Sequence, residues 1–266
     1  MAIEDYLAHS LRQLEQLYAA MDNAAGPVLF RDMGAYRQFR YERPTESVAC
    51  YLKGIKAIST LNACVLLLRA GHTQEVGALC RMVDDFCNEI FFLLMPQAGD
   101  NFSEDQIRFL DNFFQEEFEQ PSDPLRSAQK RDTVPMKKIF ATFGKLATGE
   151  VNPSDAQELL RTVHQAFSGY VHAAYPHIME MYGGNPPRFH VSGMLGTPRV
   201  REWQSQLVGY VQRLIIVSVF VARKLGVPDL ELPIRALLED FESTTSTKPM
   251  LKASAMLAEY KKTHAT

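Results

Sequence analysis

Apolar residues recur along most of this chain at three- and four-residue intervals, the spacing that puts them on one face of an α-helix. Residues 2–22 predict an amphipathic opening helix, broken at Asn23 to Pro27, with a shorter helical piece at 31–42. Pro44 and Thr45 introduce a long helix, 45–70, that Gly71 closes. The next, 73–95, carries Val76, Leu79, Cys80, Val83, Phe86, Cys87, Ile90 and Leu94 on one side and stops at Pro96. Ser103 followed by Gln106 is a capping box that opens a phenylalanine-rich helix to about residue 119. Residues 120–134 read as loop, and Pro135 starts a short helix to about 147. Asn152 and Pro153 open a helix over 153–175, which Pro176 ends or kinks, with His177 to Tyr182 as a short continuation. The least helical stretch is 183–199, where Arg188 to Val191 suits a brief extended segment. Thr197 and Pro198 cap a helix over 198–225, and 234–242 and 249–262 close the chain. There is no convincing strand pair and no repeat. The pattern predicts an all-α fold: one antiparallel helical bundle, its core at about 45–225, with peripheral short helices in 1–42 and 234–266.

Composition refines this only slightly. With 46% apolar and 22% charged residues, the chain has the make-up of an ordered globular protein. A net charge of −3 argues against a general nucleic-acid binder and leaves room for a local basic patch. One such patch is Arg126, Lys130, Arg131, Lys137 and Lys138, which follows the acids Glu116, Glu117 and Glu119. Phosphate contact and internal pairing are both open to it. Cys50, Cys64, Cys80 and Cys87 form no C-x-x-C and lie in apolar helical context, as reduced core residues do. The N-terminus has early acids and no apolar signal segment, and the longest apolar run, Leu214 to Ala222, is far short of the roughly 20 residues of a membrane span. A cytoplasmic protein without membrane contact is expected.

Candidate chemistry falls on two helices. On the 153–175 helix, Leu159, Leu160, Val163, Ala166, Phe167, Tyr170 and Ala174 fill one arc. Arg161, His164, Ser168 and His172 line up within about 80° on the other side. Such a row suits acid–base or phosphate chemistry, an interface, or a wet helix face. On the 73–95 helix, Arg81, Asp84, Asp85 and Asn88 share about 100° of arc. There Arg81 could hold an anion that the acids orient, or Arg81 and Asp85 could be a weak surface pair. Neither a cofactor nor a metal is expected. The glycines match no phosphate-binding motif, no histidine has an acid three residues ahead of it, and the spacing of His172, His177 and His190 does not demand a shared site.

Two segments taken together resemble a known family. A leucine-rich helix, a glycine turn and Arg81-x-x-x-Asp85 are followed well downstream by Ser168-x-x-Val171-His172. This combination, over about 60–180, resembles a widespread bacterial family of all-helical proteins with Arg-x-x-x-Glu and Ser-x-x-Val-His helices, distantly similar to the HEPN superfamily. The resemblance implies a helical bundle that dimerises, with Arg81, Asp85, Ser168 and His172 as a polar cluster for ligand binding or structure and His164 beside it. It also implies possible roles in phage defence or stress, with RNA or a partner protein as the target. HEPN nucleases use Arg-x(4–6)-His without metal, and here positions 165, 166 and 167 ahead of His172 are Gln, Ala and Phe. A binding or regulatory protein is therefore the first expectation. The alternative is a metal-independent ribonuclease, with His172 as general acid/base and Arg81 or Arg161 on the phosphate.

Overall fold

A computed structural model describes residues 2–32, 34, 37–95, 101–118, 120, 123–126, 131–144 and 153–247. Helices dominate, and the fold is an all-α bundle. Helix α1 (Ile3–Ala25) buries Leu7, Leu11, Leu14, Tyr18 and Met21, one residue per turn, and ends at Gly26 in a left-handed conformation. It is thus part of the core and not the peripheral element its position suggested. The helical piece expected at 31–42 is instead an antiparallel hairpin of β1 (Val28–Asp32) and β2 (Arg37–Tyr41). Its register pairs Val28 with Tyr41, Phe30 with Phe39 and Asp32 with Arg37. The reason is the period. Val28, Phe30 and Asp32 alternate with their neighbours, as do Arg37, Phe39 and Tyr41, and Gly34 supplies a positive φ between them.

Helices α2 (Glu46–Arg69) and α3 (Thr73–Leu94) form the central pair. Thr45 caps α2, its hydroxyl accepting from the Val48 amide at 3.3 Å. The turn between them depends on Gly71: its φ is +82°, and its carbonyl accepts from the Met194 amide at 2.7 Å, so a Cβ there would strike the backbone at Met194 and Leu195. The capping box opens α4 (Glu104–Phe114), which is shorter than expected. Gln106 does two jobs there. Its carbonyl oxygen accepts from the Ser103 amide at 2.9 Å, while its amide donates to Phe92 O at 2.8 Å and Met95 O at 3.1 Å. That pins α4 onto the end of α3.

Helices α5 (Met136–Gly144) and α6 (Pro153–Val171) pack on each other and on α3. After α7 (Tyr175–Met179) comes a small antiparallel pair, β3 (Tyr182–Gly183) with β4 (Arg188–Phe189), where the extended segment was expected. Helix α8 (Pro198–Lys224) runs through the core, with Leu207, Val211, Leu214, Ile215, Val217, Val221 and Ala222 fully buried. By length and composition α2 and α8 could each cross a membrane, and both are core helices of this bundle. Helix α9 (Glu231–Thr245) seats Ile234 and Phe241 in the same core, so it too is integral. The helix expected at 249–262 lies outside the described residues.

All four cysteines are free and buried. Burial pushes the Cys50 and Cys87 thiols up to about 12. The native protein should therefore give no reaction with a thiol reagent at mildly alkaline pH, and all four cysteines should titrate once it is unfolded in guanidinium.

Candidate functional site

The polar stripe of α3 faces neither solvent nor a single partner. Taken at 100° per residue, Asp84, Asn88, Arg81, Asp85 and Glu89 follow one another around the helix. On one flank, Arg213 of α8 pairs with Asp84 and donates to Asn88 Oδ1 at 2.7 Å, and the Tyr210 hydroxyl donates to Asp84 Oδ2 at 2.9 Å. On the opposite flank, Lys53 of α2 meets Glu89 at 2.7 Å and lies over the Phe109 and Phe113 rings at 5.2 and 4.7 Å. The solvated-face reading of this stripe is therefore corrected. Asp84 is 5% exposed, and burial raises its carboxyl above the usual carboxylate range in spite of Arg213. Burial likewise raises Glu89 in spite of Lys53.

Between these flanks sits the expected Arg81 and Asp85 pair, and it is an ion pair. Its third member is His164. The Arg81 guanidinium donates to His164 Nε2, and Asp85 Oδ1 lies 3.7 Å from that nitrogen. Arginine can only donate, so the contact requires a neutral imidazole with its proton on Nδ1. Burial first, and the Arg81 charge second, lower the His164 pKa. The imidazole meets Phe140 of α5 edge to face at 5.3 Å. Helix α6 approaches this closely because α3 has glycine at 77, where a Cβ would lie 2.7 Å from the Tyr170 ring.

Helix α6 is turned relative to the arc expected from its pattern. Phe167 and Tyr170 pack inward as anticipated, and His164 joins them, while Val163 and Ala166 are exposed. Ser168 is half-buried and His172 exposed, and neither side chain makes a hydrogen bond among the described residues. Arg161 is exposed and held by Glu158 at 2.5 and 2.8 Å and by Gln165 at 2.9 Å. The expected cluster of Arg81, Asp85, Ser168 and His172 thus divides. The first two close on His164. The last lies eight residues further, about 12 Å along the axis.

Other candidates resolve locally. Arg126 pairs with Asp123, Arg131 with Glu117 and Lys138 with Asp105, so the basic patch is largely paired internally, Lys130 lying outside the described residues. Among the described residues, no group of three or more His, Cys, Asp or Glu side chains could hold a metal. An open groove of about 520 Å³ runs along α4 past Arg108, Asp111, Asn112 and Asp132, and Arg81 does not line it.

Comparison with family models, with curated proteins and with solved structures returns no match.

Pattern reading missed Arg213, Tyr210, Lys53 and Glu89 as members of this network. A signal was present in Arg213 and Lys53, cations set among apolar residues of their helices, which need a carboxylate if that face is covered.

Asp84→Ala would leave Arg213 largely buried without its counter-charge and should cost roughly 3 kcal/mol in urea denaturation. The pH dependence also has a defined sign. Folded His164 binds its proton less readily than unfolded, so stability is full above about 6.5, the ordinary histidine value, and falls as pH drops from there through the lowered folded value. His164→Gln keeps an acceptor for Arg81 and does not titrate. Urea melts at about pH 7.5 and about pH 5.5, on either side of that value, should show wild type losing more stability than this variant.

Proposed function

We propose that this chain is an HEPN-like binding or regulatory protein of the cytosol, dimeric, acting on RNA or a partner protein in a defence or stress setting, and that it is not a nuclease. One observation carries the reading: Arg81 is spent inside the bundle on Asp85 and His164, its side chain 11% exposed, while the exposed histidine of the Ser-x-x-Val-His segment is elsewhere. Metal-independent cleavage of RNA needs a cation on the phosphate and a titratable group at the sugar hydroxyl in one cleft. Arg161 does not supply that cation either, since it lies eleven residues, about 16 Å along the helix, before His172. What the end of α6 and the following α7 offer outward is a surface. His172 is followed by Tyr175 and Ile178, which are 76% and 39% exposed, with Val171 beside it at 50%. A mixed apolar and polar face of this kind suits association with a second copy or another chain.

The test is RNA incubated with the wild type in the presence of a chelator. No cleavage is expected, and light scattering should report a dimer. Arg81→Ala should cost roughly 1–3 kcal/mol, since it strips Asp85 and His164 of their partner, while His172→Ala leaves stability nearly unchanged. Metal-free cleavage that falls by about 10²–10⁴-fold in His172→Ala would replace this reading with the ribonuclease.

A further inference from the structure

The β1–β2 hairpin is the part of the fold that packing explains least. Phe30 and Phe39 are 58% and 68% exposed, and Val28 and Leu29 beside them are also open to solvent. The base is fastened to the bundle. Tyr41 packs on the core, and Arg40 holds both carboxylate oxygens of Glu116 at 2.6 Å. Beyond that anchor the two phenylalanines face each other across the strands, ring centroids 4.9 Å apart and planes tilted by 49°. Among the described residues, no element of the bundle covers their outer faces.

Charge accompanies the rings. Residues 28–43 hold Arg31, Arg37, Arg40 and Arg43 against Asp32 and Glu42, in a chain whose net charge is −3. Arg31, Arg37 and Arg43 are exposed; by strand alternation Arg37 shares the face of the rings, where it meets Asp32 in a solvent-facing pair at 3.2 Å, while Arg31 lies on the opposite face with Arg40. All four cations are arginine, whose planar fork both stacks and grips phosphate with two parallel hydrogen bonds.

We propose that this hairpin is a binding ribbon for single-stranded nucleic acid, in which Phe30 and Phe39 stack bases while Arg37, on their face of the ribbon, and Arg43, just past the end of β2, take the phosphates. A cross-strand aromatic pair by itself stabilises a hairpin, but it requires neither arginines around it nor open ring faces. A second copy is the wrong occupant, because two such hairpins would bring like arginines together. Single strands fit better than duplexes, since only unpaired bases leave their faces free for the rings, and recognition of this kind tolerates any sequence. The proposal is independent of the Arg81 cluster and of the reading built on it.

Fluorescence anisotropy with a labelled oligouridine of about twelve nucleotides tests it. The full chain should bind, with affinity falling as salt rises. Phe30→Ala with Phe39→Ala should weaken binding tenfold or more, and Arg37→Glu should weaken it and flatten the salt dependence. Phe39→Trp guards against loss of the hairpin itself: binding should persist, with quenching of the introduced indole by the stacked base. No binding at about 100 μM protein, the weak end of sequence-independent affinity, would overturn the proposal. Affinity unchanged by every variant would do so as well. Saturable binding of an acidic peptide with no binding of the oligonucleotide would point to a protein partner and also overturn it.

Discussion

A charge on the covered side of a central helix must meet a counter-charge there, and the covered side of α3 carries four. Arg81, Asp84, Asp85 and Glu89, with Asn88 among them, span the side of α3 that its neighbours cover. Water is too scarce to solvate them, so three neighbouring helices supply partners: α8 gives Arg213 and Tyr210, α2 gives Lys53 and α6 gives His164. Apolar contact alone would let those helices rotate or slide with little penalty, because one aliphatic surface resembles the next. Ion pairs with defined geometry do not allow it. Whether they add net stability is a separate matter, since desolvation consumes much of what the pairing returns, as the raised Asp84 and Glu89 carboxyls indicate. Their role in this reading is to select one packing among several.

That constraint bears directly on chemistry. The Arg81 guanidinium cannot lie in the Asp85 and His164 contact and also neutralise a phosphate in solvent. To do the second it would have to leave two partners in a site that admits little water. An arginine fixed in this way helps to position α6, and through α6 the outward face that holds Ser168 and His172. Arg81, which suggests phosphate chemistry on paper, therefore serves in three dimensions to join α3 to α6.

Much of the fold was legible in the sequence because local signals and global packing agree. Gly71, the Ser103 and Gln106 capping box, Pro153 and Thr197 with Pro198 mark helix ends within a few residues of where they fall. The hairpin was not legible. Its alternation runs for only five residues a strand, too short to prevail over helical spacing when the turn is not a two-residue Asn-Gly type. The inward turn of His164 was hidden for another reason. Histidine suits either a wet face or a buried pair, and the choice was made by Arg81, eighty-three residues away. Hydrophobic period places a helix's face only as finely as its apolar residues demand. On α6 the demand is loose enough that Val163 and Ala166 could be left in solvent.

Bundles of this kind are reached by many unrelated sequences, so the scaffold says little about activity, and the features it does not require carry more information. The core would be complete without exposed rings at Phe30 and Phe39, whereas it would not be complete without Arg213 or Lys53. Asp84 and Glu89 account for those two cations. No packing demand among the described residues accounts for two phenylalanines held in solvent beside Arg37 on a ribbon fastened at its base by Arg40 and Glu116. An aromatic pair in that position keeps its apolar area hydrated, an unfavourable arrangement for an isolated chain. A ligand with flat faces and negative charge would relieve it, which is why the hairpin, and not the arginine and histidine of the bundle, is where this structure meets its surroundings in the reading developed above.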